Sequence, residues 1–202
     1  SEHEHAGLLQ SLSDNGSINV TEERFTSIGP SLGEELKQKA LISIIIAVVV
    51  IILFVATSFR HVSKPVSSWK YGIVAVIALL HDILIPLGLF SILGQFSNAQ
   101  VDALFISALL AILGLSVNDT IVVFDRVREN LTKKIGKTFS ETVDISLSQT
   151  ITRSINTSIT TLLALFALLF FGPASTYNFV LVLIVGLIIG TYSSIFLASP
   201  LL

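Results

Sequence analysis

Asp119 is a carboxylate inside a long apolar run, and the sequence around it reads GLSVNDTIVVFDR from position 114 to 126. An ionised carboxylate in hydrocarbon costs several kcal/mol unless it is protonated, paired or in contact with water. A carboxylate in this setting is a functional-site candidate, and the chemistry it can perform is the uptake and release of a proton.

Arg153 enters the next apolar run at a depth similar to that of Asp119. If the Asp119 helix leaves the hydrocarbon near Phe124, Asp119 lies about 7 Å from the cytoplasmic boundary, at 1.5 Å per residue. A carboxylate near a guanidinium is stable either ionised and paired or protonated and released. We therefore predict that Asp119 and Arg153 meet, directly or through water, as a proton relay. The alternatives are a static helix-to-helix hydrogen bond and an Arg153 that snorkels to the membrane surface.

A second polar site is predicted at His81 and Asp82, which are adjacent residues near the middle of another apolar run. Asp82 needs a partner, and His81 or a polar residue of another helix could supply it. Both a structural role and a part in proton movement stay open for this pair.

Three further polar residues belong to this secondary site, namely Asn118, Thr157 and Thr161. They could line a wet path beside Asp119, or they could only hydrogen-bond between packed helices.

Metal, nucleotide and hydrolytic sites are not predicted. The chain has no cysteine, and His61 and His81 are too isolated to form a metal constellation. No G-x-x-x-x-G-K-[ST] loop occurs, and His3 and His5 lie far from any serine nucleophile that they could activate. We therefore expect no cofactor and no enzymatic activity.

The elements that position these residues must be membrane helices. Hydrophobic residues make up 52% of the chain, charged residues only 13%, and the mean hydropathy is +0.83. A bilayer core needs about 20 apolar residues per helix. Five stretches satisfy that requirement, at about 40–58, 71–93, 101–124, 156–172 and 177–197. The fold class predicted is an all-α polytopic membrane protein.

The distribution of basic residues sets the predicted orientation. Lys and Arg are concentrated in segments 59–70 and 125–153, whereas segments 94–100 and 172–178 contain neither. The positive-inside rule makes the two basic segments cytoplasmic. We therefore predict a multi-pass inner (plasma) membrane protein with residues 1–39 outside the cytoplasm, the bundle at 40–202 and the C-terminus in the cytoplasm.

Residues 1–39 are acidic and predict the end of an extracytoplasmic domain. Leucines at 8, 9 and 12 indicate a short amphipathic helix, and apolar residues at 18, 20, 25 and 28 indicate a strand or hairpin edge. So little sheet is not stable alone, so we expect a remnant of an α+β domain. Because neither an initiator Met nor a signal peptide precedes this segment, we expect the chain to be a fragment.

The cytoplasmic loop 125–153 contains one predicted element. Apolar residues recur every four positions at Phe139, Val143, Leu147 and Ile151. This period predicts an amphipathic helix that lies at the membrane surface and feeds the fourth span, and a plain connector is the alternative.

Small residues recur at helical spacing in the third and fifth spans, where they would let another helix approach closely. The two stripes are Ser107, Ala111, Gly114 and Asn118 in the third span, and Gly186, Gly190, Ser194 and Ala198 in the fifth. We predict helix packing at Gly114, Gly186, Gly190 and Ser194. Because Asp119 lies beside the first stripe, we expect Asp119 to face the bundle rather than lipid.

The segment GLSVNDTIVVFDRVREN at 114–130 closely resembles the signature of the bacterial SecD/SecF family of protein-export membrane proteins. The resemblance continues through IGPSLG at 28–33, His81-Asp82, SLSQT at 146–150, Arg153 and GTYSSI at 190–195. It covers nearly everything from about residue 18 to the end. SecD proteins carry Asp-Ala-Asn in place of Asn118-Asp119-Thr120, so the SecF branch is favoured.

The resemblance implies six spans with a large periplasmic domain after the first, within the resistance-nodulation-division type superfamily. By that comparison the chain lacks the first span and most of the periplasmic domain. The essential membrane Asp and Arg of the family match Asp119 and Arg153.

The function implied by the resemblance is assistance to protein export. In the family, SecD and SecF act beside the SecYEG channel and use the proton motive force to help a preprotein across the membrane after the SecA-driven step. The implied partners are SecD, SecYEG, the preprotein and membrane lipid, without nucleic acid. Two alternatives remain open: a proton-driven exporter of lipids or small molecules, and a passive membrane scaffold for the translocase.

Overall fold

The computed structural model describes residues 10–12, 30–59, 67–97 and 102–202, and the described residues contain helices and turns but no strand. The chain divides into two compact units, residues 1–39 and 40–202. The strand predicted at 18–28 lies outside the described residues, and the helix predicted at 8–12 is described over 10–12 only, where it is helical.

Five long helices make up the described part of the chain. They are α1 (Pro30–Ser58), α2 (Ser68–Ser97), α3 (Ala103–Thr132), α4 (Phe139–Phe171) and α5 (Tyr177–Ser193). A π-helical segment, Ser194–Ala198, continues α5 into the short α6 (Ser199–Leu201). Among the described residues, five helices are long and apolar enough to cross a membrane, which confirms the predicted all-α membrane fold.

Helices α3 and α4 extend beyond the predicted spans into the basic segment. The helix predicted to lie at the membrane surface forms the first turns of α4, with no break before the span. The predicted helix therefore leads directly into the span, because no Gly or Pro interrupts residues 139–171, and its placement at the membrane surface stays a prediction.

A tight turn joins α3 to α4 and fixes their register. Gly136 has φ +91°, and a Cβ there would lie 2.7 Å from Thr142 Oγ1, so glycine is required at this position. Buried Asn130 donates from Nδ2 to Ser146 Oγ at 2.8 Å and to Gln149 Oε1 at 3.0 Å. The amide thus ties the end of α3 to the start of α4.

The core of the bundle lies between α2, α3 and α5. Its larger cluster contains side chains from all three helices, among them Leu79, Ile112 and Val182. Gly186 makes the contact between α3 and α5 possible, because a Cβ there would overlap the side chain of Ile112. At Gly190 a Cβ would lie 3.1 Å from the Cβ of Ser116, so the two helices approach closely there as well.

The small-residue stripe of α3 lies on the open face of the helix among the described residues, so helix packing at Gly114 stays a prediction. A Cβ at Gly114 would meet no atom of the described residues within 4 Å, and Ser107, Ala111 and Asn118 are exposed as well. The stripe therefore faces away from α5. Spacing identifies a stripe on a helix, but it does not say which of two neighbours the stripe meets.

Outside this core, α1 and α4 are the least covered helices. Buried residues make up 6% of the most apolar window of α1 and 11% of that of α4, against 56% for the last span. Most of the surface of both helices is therefore open in this chain.

Glu35, near the start of α1, carries a resolved electrostatic shift. Lys39 Nζ lies 2.7 Å from Glu35 Oε1, and this hydrogen bond lowers the pKa of the Glu35 carboxyl. Both side chains are exposed, so the ion pair adds little to stability.

Candidate functional site

Asp119 lies where α3, α4 and the end of α5 meet. Ser154 of α4 donates its hydroxyl to Oδ1 at 2.5 Å, and Ser194 donates to Oδ2 at 2.6 Å. Both serines are buried, whereas Asp119 is half-buried. Each carboxylate oxygen thus accepts one hydroxyl hydrogen bond from a different part of the bundle.

A small polar cavity adjoins Asp119. It measures about 40 Å³, and its polar lining includes Asn118, Thr157, Ser158, Thr161 and Thr191. A water molecule needs about 10–15 Å³ of such space together with two to four polar partners, so the cavity has room for water. The secondary residues Asn118, Thr157 and Thr161 thus share one cavity with Asp119. Ser158 and Thr191 are joined across it at 2.6 Å.

Asp82 is fully buried between α2, α3 and α5. Its Oδ1 lies 2.9 Å from His81 Nδ1, and its Oδ2 accepts hydroxyls from Ser116 of α3 and from Ser193 at 2.7 Å. His81 is its predicted partner, and the two serines are polar residues of other helices. Pro86 lacks the N–H that would bond to the backbone carbonyl of Asp82, which leaves that carbonyl without its usual helical donor.

Arg153 points away from the Asp119 hydroxyl cluster. It is exposed and lines a separate cavity of about 130 Å³, whose other lining residues include Asp125 and Glu129 of α3. In the part of the chain that the structure describes, Arg153 and Asp119 form no ion pair within 4.0 Å. The reason is helical geometry: Ser154, adjacent to Arg153, occupies the position that faces Asp119, and consecutive helix residues point about 100° apart.

Ser116 and Ser193 are functional candidates that the sequence analysis missed. Serine is common in membrane helices, so its presence alone does not identify a functional residue. The positions of these two serines in the sequence are the signal that could have identified them. Ser116 precedes Asp119 by three residues on the same helix, and Ser193 is the neighbour of Ser194. A metal is a poor fit to this site, since the described residues bring together no group of three His, Asp or Glu side chains.

Comparisons with known proteins match this architecture. Residues 8–202 fit the family model described as "Protein export membrane protein SecD/SecF, C-terminal". The chain is 49% identical over 184 residues to "Protein translocase subunit SecF" of Thermobaculum terrenum, covering 91% of this chain and 57% of that protein. The protein of the same description from Anaerolinea thermophila is 40% identical over 196 residues, covering 96% of this chain and 63% of that one.

A solved structure described as "Crystal structure of SecDF in Super-membrane-facing form" superposes with a TM-score of 0.76 at 34% identity. The match covers 98% of this chain and 25% of that chain. The present chain therefore spans somewhat more than half the length of the two curated relatives and a quarter of the solved chain.

Proposed function

The chain belongs to the SecD/SecF family of protein-export membrane proteins, and from this premise we propose that it is the proton-handling part of a SecF subunit. In this proposal the subunit assists the Sec translocase by using the proton motive force to move preproteins after the SecA-driven step. It transports protons and performs no enzymatic conversion.

The observation that carries the proposal is the pair of hydroxyl bonds on Asp119. While Asp119 is ionised, it accepts hydrogen bonds from the hydroxyls of Ser154 on α4 and of Ser194, directly after α5. One charged side chain thus links three helices. A proton on the carboxyl removes acceptor capacity and weakens at least one of these bonds. Protonation of a single atom thus loosens the packing of α3 against two neighbours.

The Ser194 hydroxyl has a second hydrogen-bond acceptor. Its Oγ lies 3.0 Å from the backbone carbonyl of Thr191, one turn earlier on its own helix. When Asp119 is protonated, the hydroxyl can turn fully to that carbonyl without becoming unsatisfied. The switch therefore has two satisfied positions, which is what a bistable element requires.

We assign proton release to the cavity that contains Arg153. A proton leaving Asp119 passes Ser154 and reaches water on the side of Asp125 and Glu129, beside the guanidinium of Arg153. Arg153 then acts across water and not by direct pairing. With the orientation predicted from the basic loops, this is the cytoplasmic side.

The energy available is sufficient for this role. One proton crossing about 100 mV releases roughly 2.3 kcal/mol. At 1.36 kcal/mol per tenfold, that changes the ratio of two packings by about 50-fold.

A SecD partner is proposed for the open faces of this chain. The exposed surface of α4 carries the amide of Asn156 and the hydroxyl of Thr157 within a helix long enough to span the membrane, whereas Thr160 and Thr161 donate their hydroxyls to carbonyls of α4 itself. Polar groups facing outward at membrane depth need protein or water beside them. A second helical half, as SecD would supply, covers this surface, while the preprotein and SecYEG engage parts outside the present chain.

The test is preprotein export in vesicles that contain SecD and a full-length SecF carrying this sequence, driven by an imposed proton gradient. Asp119→Asn keeps the shape of the side chain and removes its titration, so gradient-dependent export should fall at least tenfold. Asp144→Asn, at an exposed position of α4, is the matched control and should export normally. Normal export by a well-inserted Asp119→Asn protein would refute the relay and favour a scaffold role.

A further inference from the structure

Asp82 is the one fully buried Asp or Glu among the described residues, and the proton route above does not use it. It accepts from both neighbouring helices, through Ser116 of α3 and Ser193 of α5, and it also contacts His81. These contacts join α2, α3 and α5 at one point, which suits a fixed anchor.

Asp82 and Asp119 are bound by two adjacent residues of the same helix. Ser193 binds Asp82 Oδ2 at 2.7 Å, and the next residue, Ser194, binds Asp119 Oδ2 at 2.6 Å. Because consecutive helix side chains diverge by about 100°, neighbouring serines can face two different helices. The rotation of α5 that satisfies Asp82 is therefore the rotation that presents Ser194 to Asp119.

The local backbone conformation makes the rotation of α5 sensitive to the contact between Ser193 and Asp82. Ser194 begins the π-helical segment, and Ser199 Oγ donates to the Ser194 carbonyl at 2.8 Å, five residues back. A π-turn departs from the α-helical ladder and is common at functional sites. Ser193 also has a competing acceptor, the Gly190 carbonyl at 3.2 Å, to which its hydroxyl can turn when Asp82 is absent.

We propose that Asp82 is a positioning residue for the relay: by holding Ser193 it sets the π-helical segment so that Ser194 donates to Asp119. This inference rests on the proposed function and deepens it, since it names what sets the proton affinity of the relay carboxylate.

The groups that face Asp82 are hydrogen-bonding partners, one from each helix packed around it. His81 on α2 is its titratable neighbour, α3 faces it with Ser116, and α5 faces it with Ser193. No Lys or Arg of the described residues lies within ion-pair distance of Asp82. Asp119 is linked to it through the step from Ser193 to Ser194 and, along α3, through Ser116.

The test is the pH profile of gradient-driven export in the same vesicles, measured for Ser193→Ala, Ser194→Ala and the double variant. Losing the Ser194 hydroxyl removes a hydrogen bond from ionised Asp119, which favours the protonated form and moves the profile to higher pH by about one unit. Ser193→Ala should move it in the same direction by a smaller amount. The double variant should match Ser194→Ala alone, because both changes act through one bond.

Two further variants complete the test. Asp82→Ala should reproduce the shift of Ser193→Ala, and Ser107→Ala, an exposed serine that donates to the Ala103 carbonyl of its own helix, should leave the profile unchanged. If Asp82→Ala fails to insert, the serine variants still decide the question. The inference is overturned if Ser193→Ala lowers only the amount of protein and leaves the profile in place, or if the two serine shifts add.

The failure of this inference can be told from failure of the proposed function. If Asp119→Asn retains gradient-driven export, the relay itself is wrong. If Asp119→Asn abolishes that export while Ser193→Ala has the native profile, the relay stands and the positioning role of Asp82 is wrong.

Discussion

Asp82 and Asp119 are two carboxylates in the same bundle, bound by consecutive serines of one helix, yet their surroundings differ. Asp82 has no exposed surface and contacts three polar side chains, whereas Asp119 is half-buried, accepts two hydroxyls and borders a polar cavity. A carboxylate that exchanges protons needs access to water, and one that fixes helices needs a full set of donors. The difference indicates that access to water, more than residue type, would divide the proposed relay from the proposed anchor.

The largest effect expected from this comparison is on stability. Asp82→Ala leaves the buried hydroxyl of Ser116 and the half-buried ring of His81 without their partner, and should lower the free energy of unfolding by about 3 kcal/mol. Asp119→Ala, beside a cavity that can hold water, should cost about 1 kcal/mol or less. Unfolding in mixed detergent micelles measures both. Equal losses in the free energy of unfolding would show that the two carboxylates stabilise the bundle to the same extent.

A second prediction concerns the close approach that lets α5 reach both carboxylates. Gly186→Ala places a methyl group against Ile112, so the variant should be less stable by about 1–3 kcal/mol. Gly114→Ala, whose Cβ meets open space, is the matched control. In the chain alone it should change stability by about 0.5 kcal/mol or less, or raise it through helix propensity.

The same pair of variants tests the partner proposal when SecD is added. Gly114 lies on the outward stripe of α3, so Gly114→Ala should weaken association with SecD if that stripe is covered by it. A Gly186→Ala protein as stable as the parent would contradict the close packing of α5 on α3.

The all-α fold was predictable from the sequence, since five apolar runs of membrane length need no knowledge of their neighbours. Asp119 was singled out for a similar reason, because the cost of a carboxylate in hydrocarbon does not depend on which helix lies beside it. Its role as a relay remains a prediction, as does that of Arg153.

Features that depend on the rotation of a helix about its own axis could not be predicted from the sequence. The helix that meets the α3 stripe was not identifiable, and the direct pairing of Asp119 with Arg153 is not formed, because Ser154 occupies the inward position. Helices that are apolar on every side carry little signal for the face that turns inward. Ser116 and Ser193 were missed for the same reason, since a serine gains meaning only once a carboxylate is found opposite it.

The smallest effect is expected at Ser154, the α4 hydroxyl on Asp119. Ser154→Ala removes one of two donors to the ionised carboxylate, so the pH profile of export should move upward by about half to one unit. Ser148→Ala, an exposed serine of α4 that donates to the Ile145 carbonyl, is the control and should leave the profile in place. Because Ser154 binds Oδ1 and Ser194 binds Oδ2, their shifts should add, unlike those of Ser193 and Ser194. Additive shifts for Ser154 and Ser194 would show two independent donors to Asp119, and non-additive shifts for Ser193 and Ser194 would show one donor and the residue that positions it. A Ser154→Ala profile identical to that of the parent would show that α4 takes no part in the switch.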